Sequence, residues 1–371
     1  MNSIYQSIGK VNHNCGFRME NYRIWGSSII HGKDGRFYMF ASRVPKFLRF
    51  HPGWMIASEI VRASSDTPEG PYVFEEVVLP ARGAQYWDGR STHNPKIVQC
   101  NGKYVLFYMG STHPFEEVTP ETADLLDIHS KWCTVARANK RIGIAISDSV
   151  FGPWERFDEP ILKTKPNTFY SFFTSNPSPV IDENGKVYLI FKSRCYHQNS
   201  YGRMMIGLAT APDVRGPYSV INTEPLFSNE KFGEIEDPHI WKDCHGFHML
   251  AKDQYGTITK TVRGNGILAH SEDCLHWHLD KEPLAYSKNI EWTDGKKRCI
   301  GSMERVSTLQ DSKGDITHLS FAVWEGSKGF SIESANTEAW NMVIPIQHTE
   351  KKELLLNILK FSTKNRSEMR V

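Results

Sequence analysis

No apolar run in this chain approaches the roughly 18 residues needed to cross a bilayer. The N-terminal region carries Asn, His, Cys, Arg and Glu in place of an apolar signal-peptide core. The expectation is a cytoplasmic protein with no membrane partner, or a periplasmic or secreted one whose leader was removed. Charge of one sign is lacking too: 44 Lys and Arg face 42 Asp and Glu, a net charge of +2. That balance argues against nucleic acid as the main partner. There is no CxxC pair, and the seven cysteines are odd in number and widely spaced. They read as free thiols in a reducing compartment rather than as a disulfide framework. No fixed metal-ligand spacing occurs either. Aromatic residues, by contrast, are plentiful at 12%, with ten Trp; sugar-binding clefts and β-rich cores both use them.

Internal repetition is the strongest pattern. Pairs of short apolar stretches joined by a glycine turn begin near Ser27, Asn94, Asn176, Asp237 and Met303. The second reads Asn94-Pro95-Lys96-Ile97-Val98, then Asn101-Gly102, then Tyr104-Val105-Leu106-Phe107-Tyr108. The fourth reads Asp237-Pro238-His239-Ile240-Trp241, then Gly246, then Phe247-His248-Met249-Leu250. A small-residue strand and an aromatic strand start follow four of the pairs, as in Ala145-Ile146-Ser147-Asp148 with Gly152-Pro153-Trp154. Period-2 alternation with glycine turns makes each unit four short antiparallel strands. Five units arranged radially protect their edges by closing a ring, so the expected fold is an all-β, five-bladed β-propeller. A large β-sandwich of hairpins is the alternative. The blades are expected at roughly 23–80, 91–162, 173–227, 234–286 and 301–346, within one domain over 1–346. Residues 1–22 could add a strand that clasps the ring. A short helix at Glu353–Lys360 and a polar tail are expected in 347–371.

Strand order puts the long loops on one face, at 44–56, 81–93, 111–140, 163–175, 195–203, 254–265 and 287–303. Long loops on a rigid scaffold usually carry function. The outsized loop 111–140 holds a short helix near Pro120–Leu126, as a lid or as the contact of a homodimer.

Polar residues converge on the same face. They are Asp88, Arg90, His93 and Asn94, then Asn176, then Glu236, Asp237 and His239, then Glu304 and Arg305. Carboxylates around an open pocket are what glycosidic cleavage requires: one holds a proton for the leaving oxygen, another activates water or attacks the sugar. Repulsion between them pushes their pKa values apart. Asp88, Asp237 and Glu304 are the catalytic candidates, as base, pKa modulator and acid; Glu236 could replace either acid. The alternatives are a turn-capping Asp88, an Asp237 bonded to backbone amides, and a Glu304–Arg305 ion pair. Trp87 is a candidate sugar platform, as are Trp54 and Trp292. His93 and His239 would bind substrate or a cation in the central channel, though a structural histidine is equally open. Arg90, Arg298 and Arg305 point to an anionic group on an oligosaccharide substrate. No cofactor is required, and a divalent cation in the channel is compatible.

At these residues the chain resembles the five-bladed propeller glycosidases, such as glycoside hydrolase families 43, 32, 62 and 117, over roughly residues 23–345. The order Asp88, Asp237, Glu304 is similar to the acid set of family 117, the anhydrogalactosidases. The Asp-Pro pair that opens blade one in family 43 has no counterpart, since Gly26-Ser27 stands there. Lys296, Lys297 and Arg298 occupy the stretch where family 117 has a histidine acid. The resemblance implies a glycoside hydrolase that removes a terminal sugar with inversion. A phosphorylase like those of family 130, or a non-catalytic sugar-binding propeller, are the competing functions.

Overall fold

The structure is a computed structural model that describes residues 4–198, 200–325 and 337–347. The repeated hairpins become blades. Blade one consists of Tyr22–His31, Phe37–Pro45, Glu59–Ser65 and Val73–Leu79, in that order from the axis outward. Blade two consists of Ser91–Cys100, Lys103–Ser111, Arg141–Ser147 and Glu155–Arg156. Blade three consists of Phe173–Ile181, Val187–Arg194, Met205–Ala211 and Ser219–Val220. Blade four consists of Ile235–Asp243, Gly246–Asp253, Gly266–Ser271 and His278–Tyr286. Blade five has three described strands, Ser302–Gln310, Ile316–Trp324 and Ala339–Pro345. The inner strands meet in cyclic order, and blade five returns to blade one. The fold is the expected five-bladed propeller.

Local chemistry explains the hairpins. In blade two Cys100 pairs with Lys103, which leaves Asn101 and Gly102 as a two-residue turn. Both are left-handed, at φ 50° and 77°, the pattern that Asn-Gly satisfies and that matches strand twist. Alternating side chains then fill the gaps between neighbouring blades. Phe107 and Ile144 of blade two pack with Leu189 and Phe191 of blade three, for example. Each gap is a separate core, so the ring needs every blade to cover its neighbour's apolar face.

The start of the chain closes the ring from outside. Phe17 N donates to Asn341 O at 2.9 Å and Asn341 N to Phe17 O at 3.1 Å. Gly9 N donates to Pro345 O at 2.8 Å. The N-terminal segment therefore lies along the free edge of Ala339–Pro345, the clasp that residues 1–22 were expected to supply. Covering a bare edge this way removes a template for pairing with other chains. The expected helix at Glu353–Lys360 lies outside the described residues. No helix among the described residues is long and apolar enough to cross a membrane. The long loops do gather at one face, and the 111–140 loop carries a 3-10 helix at Pro120–Leu125 and an α-helix at Lys131–Ala138, the second unforeseen.

Candidate active site

A bulge recurs at the same height on every inner strand, and these bulges build the site. Pairing with the second strand skips Gly26, Asn94-Pro95, Asn176-Pro177, Asp237-Pro238 and Arg305-Val306 in blades one to five. The first skipped residue is left-handed each time, with φ of 48°, 54°, 52°, 55° and 55°. Gly, Asn and Asp enter that region readily. Arginine does not, and Arg305 sits there at a cost of roughly 1 kcal/mol or more. Asp237 offsets it, accepting from the Arg305 backbone N at 3.1 Å and from its guanidinium at 3.3 Å. The chain of bonds runs on: Asn176 Nδ2 donates to Asp237 Oδ1 at 2.8 Å, and Asn94 Nδ2 to Asn176 Oδ1 at 2.9 Å. A Cβ at position 26 would lie 2.7 Å from Asn94 Oδ1, so the belt needs glycine there. Belt residues Asn94, Asn176, Asp237 and Arg305 help line a mouth cavity of about 540 Å³.

The residues just ahead of the bulges form a second tier. Trp25, His93, Glu236 and Glu304 all face the cavity. Glu304 Oε1 takes the Ser302 hydroxyl at 2.7 Å and lies 2.9 Å from Lys252 Nζ. The same ammonium is 2.7 Å from Glu236 Oε2, and Lys192 binds the other Glu236 oxygen. Burial raises the Glu304 pKa; Lys252 pulls it down, Glu236 and Asp237 push it up, and the outcome is a carboxyl above its ordinary range. Burial works against Glu236 in the same way, but Lys192 and Lys252 together overcome it and hold that carboxyl well below the usual range. The pKa values of two neighbouring carboxyls are thus moved in opposite directions. With Glu304 Oε1 accepting twice, Oε2 is the oxygen left to carry a proton.

Two histidines face the cavity in neutral form. His51 accepts from Trp54 Nε1 through Nδ1 at 3.0 Å, which leaves its proton on Nε2. Burial, then Arg137 and Lys140, lower its pKa to about 4. His93 Nδ1 is 2.8 Å from Ser58 Oγ, and the ring stacks on Trp54 with centroids 5.1 Å apart. Burial, with Arg305 and Lys140 nearby, lowers its pKa well below the ordinary value.

The sequence candidates divide sharply. His93, Asn94, Asn176, Glu236, Asp237, Glu304 and Arg305 come together at the cavity. Asp88 does not line it. That carboxylate is fully buried, enclosed by Arg82 Nε at 2.7 Å, Arg156 Nη2 at 2.6 Å and the Tyr108 hydroxyl at 2.7 Å. Such a cage makes Asp88 a structural tie and not a base that meets water. Trp87 donates to Phe157 O at 3.1 Å and stacks on Tyr108, away from the cavity. Arg90 binds Glu117 and the Phe115 carbonyl on the outer rim, and Arg298 lies 3.6 Å from Glu325. His239 lies below the belt: Nδ1 is 3.3 Å from Lys96 Nζ, and Nε2 accepts from Thr308 N at 3.1 Å. Both its ring nitrogens are engaged within the channel, where Lys96 Nζ also donates to Val306 O at 2.9 Å. No group of three or more His, Cys, Asp or Glu among the described residues is placed to hold a metal ion. Trp292 is buried and stacked on His13.

Sequence reasoning missed the lysines. Lys140, Lys192 and Lys252 all line the cavity. Lys192 and Lys252 each follow the apolar run of a second strand, in Leu189-Ile190-Phe191-Lys192 and Met249-Leu250-Ala251-Lys252. A charge closing an otherwise buried strand at the mouth was the available signal. Lys140 follows the unforeseen helix, so its position depends on a loop whose path the pattern did not show.

No protein-family model and no curated protein matches the sequence. Solved structures do match. A family 117 glycoside hydrolase of the marine bacterium Zobellia galactanivorans aligns with a TM-score of 0.61 at 17% identity, over 91% of this chain and 89% of that one. A thermostable family-43 glycoside hydrolase aligns with a TM-score of 0.58 at 12% identity, over 91% of this chain and 92% of that one. An endo-arabinase of Bacteroides thetaiotaomicron aligns with a TM-score of 0.53 at 14% identity, over 88% of this chain and 95% of that one. The chain is therefore similar in fold, nearly end to end, to the five-bladed β-propeller glycoside hydrolases of families 43 and 117.

Proposed function

We propose that this protein is a glycoside hydrolase whose proton donor is Glu304 and whose ionised partner is Glu236. The observation that carries the reading is their shared cavity and shared lysine, with pKa values moved in opposite directions, at the mouth of a propeller whose solved neighbours include glycosidases. Glu304 Oε2 delivers its proton to the leaving oxygen as the glycosidic bond breaks. Asp237 sits in the belt behind them and acts on Glu304 through its charge.

Spacing bears on the stereochemistry. Both carboxyls touch Lys252 Nζ, at 2.7 and 2.9 Å, so the two oxygens that face it lie no more than 5.6 Å apart, the sum of those distances. A water between acid and base needs about 6.5–9.5 Å, and direct attack about 5–5.5 Å. We take the pair as a retaining one, the short end of that bound, in place of the inversion that the resemblance implies. Glu236 then bonds to the anomeric carbon as the leaving group departs. In the second step the Glu304 carboxylate takes a proton from water, and that water displaces Glu236. Proton NMR of the first-formed anomer tests this: a retained anomer is expected, and an inverted one removes Glu236 as nucleophile. Screening aryl glycosides and plant or algal oligosaccharides tests the activity itself. Turnover in the wild type with loss in Glu304→Gln is expected; equal rates in the two would sink the assignment.

One observation favours a second reading. Six cationic residues line the cavity, Lys140, Lys192, Lys252, Lys288, Arg263 and Arg305, against three carboxylates, Glu236, Asp237 and Glu304. Phosphate could replace water as the attacking group in such a site, and one proton donor would then suffice. Sugar phosphate released only when phosphate is supplied would select phosphorolysis over hydrolysis.

A further inference from the structure

We propose that Lys140 anchors an oxyanion carried by the sugar itself, a uronate carboxylate or a sulfate ester. The proposal rests on reading the cavity as a sugar site. Lys140 is 4% exposed and lines the cavity. No carboxylate meets it: its ammonium has no hydrogen bond or ion pair among the described residues, only the faces of Phe173 at 3.9 Å and Trp54 at 5.1 Å from the ring centroids. A buried charge is normally paired, because leaving water without a partner is costly. The other cations of this wall are Lys192, Arg137 and Arg194. Lys192 is taken by Glu236. Arg137 donates to the Tyr201 hydroxyl at 2.5 Å. Arg194 donates to the Gly202 carbonyl at 2.5 Å, and its nearest carboxylate, Glu234, is 3.9 Å away. The wall is therefore short of negative charge at the point where Lys140 faces the cavity. Burial and the neighbouring cations lower the pKa of Lys140 well below the ordinary value, and an arriving anion reverses that direction.

The apolar part of the lining favours a charged sugar over a bare anion. Trp54 lines the same cavity beside the ammonium. Trp25 and Phe50 add further apolar surface to the lining, and apolar walls next to a cation suit a ligand with a carbon skeleton and one charged substituent; a small hydrated anion gains nothing from them. Arg90 and Arg298, which the sequence offered for this role, are turned outward to Glu117 and Glu325.

Calorimetry with galacturonic acid, galactose 6-sulfate, galactose and inorganic phosphate tests the proposal on the full chain. An acidic sugar is expected to bind roughly tenfold or more tighter than galactose, the strength of one charge-assisted bond. Lys140→Met is expected to erase that preference and Lys140→Arg to retain part of it. Equal affinity for acidic and neutral sugars, an unchanged preference in Lys140→Met, or binding of phosphate alone would overturn it. Should Lys140→Met fail to fold, amine acylation of the wild type read by mass spectrometry replaces it. Protection of Lys140 by the acidic sugar but not by galactose supports the proposal, and equal labelling overturns it. Turnover is scored separately: if Glu304→Gln abolishes cleavage while the acidic preference is missing, the glycosidase reading stands and this proposal falls. Lys140-dependent binding with no cleavage of any glycoside supports this proposal and removes the glycosidase reading.

Discussion

Asp88 and Glu304 look alike in the sequence and differ in what surrounds them. Both are acids near the start of an inner strand. Two arginines and a tyrosine hydroxyl enclose Asp88. Glu304 shares a single lysine with a second carboxylate. A carboxylate held on every side by donors has no oxygen left for a ligand, whereas one that must share its counter-ion with an anion has its pKa raised. Counting cations per carboxylate separates the caged acid from the proposed proton donor.

Breaking that contrast gives testable outcomes. Glu304→Gln should lower kcat by about 10²–10⁴, the usual worth of a general acid, while thermal stability changes little, because the amide oxygen of Gln can still accept from Ser302 and Lys252. Asp88→Ala should do the opposite. It leaves Arg82 and Arg156 without their shared anion and is expected to destabilise by about 3–5 kcal/mol, read by denaturant unfolding, with kcat retained in the folded fraction.

Acid and base limbs sharpen the comparison further. The Glu304 proton must be present for cleavage, so the rate should fall as pH rises through its raised pKa. Lys252 lowers that pKa, so Lys252→Met should move this limb to higher pH in whatever activity survives. His51 titrates the other way. Its folded pKa of about 4 lies below the ordinary 6.5, so its stabilising contribution is complete above 6.5 and is lost as pH falls toward 4. His51→Gln should flatten the stability profile across that window. The smallest effect belongs to Lys140→Met. Removing a buried, unpaired ammonium should raise the thermal midpoint by about 2 °C or more in the absence of ligand, a cost that functional sites commonly carry.

The fold was legible because the hairpins are local. Asn101-Gly102 selects its turn, the apolar alternation selects the faces, and the repeat selects the ring, all within a few residues of one another. The belt was half legible: Asn94-Pro95, Asn176-Pro177 and Asp237-Pro238 share a pattern, while Gly26 and Arg305 occupy the same bulge without its spelling. For blade five the sequence pattern points to Glu304, one residue ahead of that bulge, and so reaches the cavity by a different position from the one it matches in Asp237.

Sequence alone determined the propeller, the face that bears the site, and the presence of Glu236, Asp237 and Glu304 on it. Tertiary structure decided which acid is caged and which can hold a proton. Caging and protonation depend on groups brought within a few ångströms from distant parts of the chain, Arg156 reaching Asp88 in the one case and Lys252 bridging Glu236 to Glu304 in the other. The separation along the chain is 68 residues for the Arg156–Asp88 pair, and Coulombic influence follows distance in space, not in sequence.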